Sequence, residues 1–369
     1  MSTAILEEKV IVADDVFTAT TIDLVPKPQA RNDLSIHFES FYGVKPRHVS
    51  SSFKISLSDL SYQPKVERPT ADWAVTAAFQ AFRSFQVAGY SPVRRFATIG
   101  TGSGTDAVGA LEVFFPELTS VTMTDLSPEV VATAKMNLIS AVHDSRKTIQ
   151  TVALEATALT GYCLEPLKGQ PVFDLIYECV DLVPFTPSNL PNIPLPEGAT
   201  LLEEQTSSTY FSAADLPYQI PPFVASALLD LHYTSLVQAR VFGLLSPSGV
   251  VLSSIGGRVP VAKMLALADA AGYAGRTLSM SWKEQSEPDS VIGGYATQQQ
   301  KGLGPFYFYR TTTLRRVFHG RTPAGAALWA LQIERELLPE RIDAITALKL
   351  HHEGVELGHP VVVMASVLR

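Results

Sequence analysis

Gly100, Gly102 and Gly104 follow the apolar run Phe96–Ile99, and Asp125 closes a second run, Val121–Thr124. A glycine-rich turn at a strand end lets backbone approach a ligand closely, and the helix that follows offers free N–H groups. A carboxylate at the tip of the next strand can accept hydrogen bonds from both hydroxyls of a ribose. Strand, turn, helix, strand and acid in this order form the front half of a nucleotide-binding α/β unit. The turn reads Gly-Thr-Gly-Ser-Gly, and Thr105 occupies the last glycine position of the usual dinucleotide pattern. A Rossmann-like unit that holds NAD, or no ligand, is the alternative.

This turn together with Asp125-Leu126-Ser127-Pro128 resembles motif I and the ribose-binding acid of class I methyltransferases. The resemblance implies S-adenosylmethionine as cofactor, held by Gly100, Thr101, Gly102, Gly104, Asp125 and Leu126. In that family an acid stands two residues before the first glycine, where this chain has Thr98. An acid after the third strand commonly contacts the adenine, and Thr157 stands in that place. More widely, Phe53-Lys54-Ile55-Ser56, Glu67-Arg68-Pro69-Thr70, the GTGSG turn and the LSPSG turn look like the release-factor glutamine methyltransferases. Ser253–Pro260, Ala271-Gly272-Tyr273 and Trp282-Lys283 are closer to the methyltransferase domain of plant methionine S-methyltransferase. The similarity is patchy over residues 67–310. It implies a class I fold and an amino-acid-like substrate.

In that fold the residues after the fourth strand face the reacting sulfonium. Here they are Tyr177, Glu178, Cys179, Val180 and Asp181, with no Asn-Pro-Pro-Tyr motif for an amide acceptor. Glu178 and Asp181, with Glu203 and Glu204 in the segment beyond, suit a cationic acceptor, since carboxylates bind a guanidinium in bidentate fashion. Glu203 and Glu204 read equally well as solvated loop charge. Arg258, after Gly256-Gly257, could clamp a substrate carboxylate or form a surface salt bridge. These residues predict N-methylation of a small cationic metabolite, with free arginine as the leading candidate. Methionine S-methylation, protein glutamine methylation and a non-catalytic cofactor-binding scaffold are the alternatives.

Composition agrees with a globular enzyme. Apolar residues make up 46% and charged residues 18%, enough to bury a core, and a net charge of −7 argues against a nucleic-acid groove. The two cysteines and eight histidines show neither a disulfide framework nor metal-ligand spacing. With neither a long apolar run nor a signal-peptide pattern at Met1–Val10, the chain reads as cytoplasmic, with no membrane partner.

The elements that must position these residues read as a Rossmann-like, doubly wound, mostly parallel α/β sheet with an antiparallel last strand. Residues 1–66 form a small β-containing N-terminal region, 67–310 the methyltransferase domain, and 311–369 a C-terminal extension that either packs on the sheet or carries the contact of a homodimer. A helix is expected over 71–88 with Thr70 near its cap. Strands are expected at 96–99, 121–124, 148–154, 173–178 and 249–255, and helices at 105–114, 128–141, 223–245 and 260–272. A closing hairpin is expected to pair 276–284 with 305–311. The proline-rich stretch 180–222 reads as a substrate lid, or else as a dimerisation insertion.

Overall fold

The computed structural model describes residues 6–10, 32–58, 61–145, 154–180 and 219–369. The expected lid falls almost wholly outside them. Strand β1 spans Leu6–Val10, β2 Asn32–His37, helix α1 Phe38–Tyr42 and β3 Ser52–Leu57. A 3₁₀ turn at Pro69–Ala71 and a π-helical stretch at Ala74–Phe79 lead into α2, Gln80–Val87. The alternating core follows: β4 Arg95–Ile99, α3 Thr105–Phe114, β5 Ser120–Asp125, α4 Pro128–Asp144, β6 Leu154–Thr160 and β7 Phe173–Glu178. Beyond residue 218 come α5 Pro222–Ala225, α6 Asp230–Val241, β8 Leu245–Gly256, α7 Val261–Ala270, β9 Tyr273–Glu284 and α8 Pro288–Gln300. The last elements are β10 Tyr307–Arg310, α9 Thr311–Phe318, α10 Pro323–Leu328, α11 Ala330–Leu337, β11 Ile342–Asp343, α12 Ala344–His352 and β12 Leu357–Leu368.

The central sheet runs β6-β5-β4-β7-β8-β12, with β9 beyond β12. From β6 to β8 every pairing is parallel. Strand β12 is antiparallel to both β8 and β9. This is the doubly wound, mostly parallel sheet expected from the sequence, with β12 antiparallel between β8 and β9 and β1 antiparallel at the β6 edge. From β4 the chain winds outward through β5 to β6, then returns to place β7 on the other side of β4. The topological switch point therefore lies between β4 and β7, where open α/β sheets bind ligands beyond their strands' carboxyl ends.

Several expectations need correction. The third strand is Leu154–Thr160 rather than 148–154, and residues 146–153 lie outside those described. The helix expected over 223–245 is two helices, broken at Leu228 (φ 56°), and β8 already begins at Leu245. Residues 276–284 and 305–311 do not form a hairpin. Helix α8 lies between them, far more chain than a hairpin loop uses, and both strands pair with β12 instead. The C-terminal stretch is thus no appendage. The crossover β8–α7–β9 leaves a one-strand gap in the sheet, and β12 fills it. Its run Val361–Val363 is continuous and apolar because both faces are buried.

One hydrophobic cluster lies on each face of the sheet. The first gathers α6, α7, α8 and the C-terminal helices. The second gathers α1 to α4 with β2 and β3, so the N-terminal region shares a core with the Rossmann-like unit. Asn137 of α4 ties them: its Oδ1 accepts from Ser56 N at 2.8 Å, and its Nδ2 donates to the carbonyls of Ser56 and Ser103, each at 2.9 Å. The entry to α2 is held by Asp72 rather than Thr70, its carboxylate accepting from Lys65 N and Ala74 N at 2.7 Å each. Val363→Asp would place an unpaired charge at the centre of the inserted strand. It should cost about 4 kcal/mol or more and abolish cooperative urea unfolding, whereas a transition close to the wild type's would show β12 to be dispensable.

Candidate active site

The turn after β4 is shaped by two contacts that exclude side chains. Gly100 has φ 71°, and a Cβ there would lie 2.9 Å from the Cys179 carbonyl oxygen. Gly104 has φ 79°, and its Cβ would lie 2.9 Å from the Ala134 carbonyl oxygen. The backbone can therefore press between β7 and α4 only as glycine. Thr101 N and Gly100 N both donate to Thr124 O, at 3.1 and 3.0 Å, which fastens the turn to the tip of β5.

At that tip stands Asp125. Its Oδ2 accepts from Gly102 N at 3.1 Å and its Oδ1 from Leu126 N at 2.8 Å. Burial raises its carboxyl pKa, and those backbone N–H groups pull it back down. Ser127 then caps α4, accepting from Val130 N, with Pro128 in the first helical turn.

A cavity of about 250 Å³ opens here, at the switch point. Its floor is Gly100–Ser103, and Asp125 and Leu126 line one side. The π-helical stretch and its approach supply Trp73, Ala74 and Ala78, and Tyr62 closes above. Beyond β6 the wall is Gly161, Tyr162 and Cys163, not Thr157. Thr157 lies mid-strand, opposite Thr122 of β5, because β6 runs six residues past the expected end. The position after the third strand thus falls at Gly161–Cys163.

The acceptor side differs from the sequence reading because strand side chains alternate. Tyr177, Cys179 and Val180 line the cavity, but Glu178 does not. Tyr177 packs among the aromatic residues of the α2–α3 face, edge-on to Phe82. Glu178 points to the opposite face, fully buried, where both its oxygens accept from His232 Nδ1 of α6 at 2.8 Å. Asp181, Glu203 and Glu204 lie outside the described residues.

Arg258 is buried where β8, β9 and β12 meet. Its guanidinium donates to Tyr295 Oη at 3.2 Å, stacks over that ring, and donates to His359 Nε2 at 2.9 Å. His359 Nδ1 lies 2.7 Å from Pro360 O, so a neutral ring protonated at Nδ1 satisfies both contacts. Burial, Arg258 and Lys283 all hold its pKa well below the usual imidazole value. Lys283, 1% exposed, sits over the Trp73 ring with Nζ 4.6 Å from its centroid. Burial and then Arg258 push its pKa down to about 7. Trp73 links this basic corner to the cavity.

Sequence reasoning missed Asp106. It lines the cavity from the first turn of α3, and its carboxylate accepts from Thr98 Oγ1, from Thr101 Oγ1 at 2.9 Å and from Ala107 N at 2.8 Å. Burial is the main cause of a pKa raised to about 6, opposed by those hydrogen bonds. The signal was present: Asp106 is one of two acids, with Glu112, in a largely apolar helix, Thr105–Phe114, whose residues are all buried.

No family model and no curated protein matches the chain. Solved structures that resemble it include a ribosomal protein L11 methylase from Lactobacillus delbrueckii subsp. bulgaricus, at 16% identity over 53% of this chain and 67% of that one, TM-score 0.30. Another is a precorrin-6y C5,15-methyltransferase from Geobacter metallireducens, at 9% identity over 80% and 89%, TM-score 0.34. A third is an O-methyltransferase from Bacillus cereus in complex with SAH, at 14% identity over 48% and 56%, TM-score 0.25. All three are loose likenesses, with TM-scores of 0.34 or less.

Asp106 gives the ligand-free protein a pH signature. Its folded pKa of about 6 exceeds the ordinary 3.8, so the folded state holds the proton more tightly. The resulting stabilisation is complete below pH 3.8 and is lost as pH rises through about 6. The two-unit difference corresponds to about 3 kcal/mol. Asp106→Asn should flatten this loss, measured as the difference between wild-type and variant urea midpoints from pH 4 to 8. Parallel curves would show that the carboxylate is not strained by burial.

Proposed function

We propose that the chain is an S-adenosylmethionine-dependent methyltransferase acting on a small amino-acid-like molecule. The supporting observation is the cavity at the switch point, floored by side-chain-free backbone and flanked by Asp125. The Asp125 carboxylate is oriented at the cavity wall by the backbone N–H groups of Gly102, Leu126 and Ser127, and an acid so placed fits the hydroxyls of a ribose. The Thr124 hydroxyl, buried in the same wall, has no partner among the described residues and fits a ligand with polar groups there. When bound, the cofactor supplies a methyl group on a positively charged sulfur. The chain's own residues bind and orient: the glycine turn admits the nucleoside, Asp125 holds its ribose, and Tyr177, Cys179 and Val180 form the wall at the end of β7. Orientation of the two reactants supplies much of the acceleration in such a transfer.

The amino-acid-like substrate is supported by the basic corner. Arg258 and Lys283 are buried behind Trp73, which lines the cavity, and a substrate carboxylate that reached past the indole would meet the guanidinium and draw a proton onto the Lys283 amine. N-methylation of a guanidine such as that of arginine draws its support from Asp181, Glu203 and Glu204, since Glu178 is committed to His232. That commitment favours a second reading, a thioether acceptor, because sulfur needs neither a base nor an anionic clamp. Mass spectrometry of products from arginine and methionine in competition separates them: methylarginine supports the first and S-methylmethionine the second. Labelling of a protein band with neither amino acid methylated would overturn both.

Calorimetry tests the cofactor directly. Asp125→Ala should weaken binding of S-adenosylmethionine by about 1.5–3 kcal/mol, the worth of hydrogen bonds to a charged group. Heat with NAD and none with S-adenosylmethionine would refute the assignment.

A further inference from the structure

We propose that Asp106 anchors the α-ammonium of the cofactor's amino-acid tail, supplying from helix α3 the charge that strand β4 lacks at Thr98. The inference rests on the cofactor reading above. The sequence shows a gap: Thr98 stands two residues before Gly100, where the resembling family carries an acid. The structure fills it. Thr98 is fully buried, and its hydroxyl donates to Asp106 Oδ2, so a carboxylate stands directly against the position that lacks one. Strand and helix have divided the task, with β4 giving a hydroxyl that orients the carboxylate and α3 giving the charge.

Capping of the first turn of α3 through the Ala107 amide accounts for part of this arrangement, but not for the two threonine hydroxyls on the same carboxylate. The cap position of α3 is Gly104, and Asp106 lies inside the helix, 7% exposed, facing the cavity. An acid that only complements a helix dipole gains most of that benefit at an exposed first turn, without the desolvation cost. Three donors fix the carboxylate: two threonine hydroxyls and the Ala107 amide. Two of these donors are threonine hydroxyls, whose protons can rotate away and free an acceptor direction for a ligand cation at the cavity wall. An ammonium fits better than a sulfonium because it can donate a charge-assisted hydrogen bond. Thr101, which belongs to the glycine turn, holds one oxygen, so the carboxylate is coupled to the same loop that positions the nucleoside.

Three ligands and two variants test this by calorimetry at pH 7.5. S-adenosylhomocysteine carries the ammonium but no sulfonium, S-adenosylmethionine carries both, and 5′-methylthioadenosine lacks the whole amino-acid tail. Asp106→Asn should weaken S-adenosylhomocysteine and S-adenosylmethionine alike by roughly 10- to 100-fold, the loss expected of a charge-assisted bond. It should leave 5′-methylthioadenosine within about twofold, since that ligand never reaches Asp106. Asp125→Ala should weaken all three. An equal loss on all three ligands with Asp106→Asn would overturn the inference, because the residue would then be shaping the pocket rather than holding the tail. A loss confined to S-adenosylmethionine would overturn it in favour of the sulfonium. If the wild type binds none of the three, the cofactor reading fails and the inference with it.

Discussion

The site depends on two stretches of backbone that touch. The carbonyl oxygen of Cys179, just past β7, lies 2.9 Å from where a side chain at residue 100 would begin. These strands flank the switch point, so their separation sets the width of the crevice above them. A side chain at Gly100 would wedge them apart, and one at Gly104 would push α3 off Ala134 of α4. Both glycines also hold positive φ, which an L side chain resists. The turn's hold on Thr124 and the Gly102 amide on Asp125 then follow from that close approach.

Around this turn the charges are sorted. Asp106 and Asp125 border the cavity, and burial raises both their pKa values. Across Trp73, Lys283 and His359 are buried beside Arg258, and burial lowers both of theirs. Each group sits where its charged form is costly, which is common where a ligand of opposite charge completes the environment. A cofactor bearing an ammonium and a substrate bearing a carboxylate would offset both penalties. Glu178 and His232 have no part in this sorting: they face each other in the opposite layer of the sheet.

What the sequence revealed, and what it hid, follows from how local each feature is. The glycine turn, Asp125, α3 and the strands flanking them were legible because their signals lie within about thirty consecutive residues. The place of β12 was not, since nothing near Leu357–Leu368 says that it must slip between β8 and β9. Glu178 was misread for a simpler reason. It adjoins Tyr177 and Cys179, but strand alternation sends it to the other face, and only the exact end of β7 settles which residues turn inward. Asp106 was hidden because its partner Thr98 lies across the turn, on a strand where a threonine looked like a loss. The aspartate and the threonine make sense only together.

The proposed S-adenosylmethionine site is the crevice between β4 and β7, with Asp125 and Asp106 arranging the ligand. A crystal structure of the chain grown with S-adenosylhomocysteine tests it most directly. The ribose hydroxyls should lie on the Asp125 carboxylate, the nucleoside over Gly100–Gly102 and the ammonium within hydrogen-bonding reach of Asp106. The ligand lodged elsewhere, or lying in the crevice with its amino-acid tail directed away from Asp106, would contradict it.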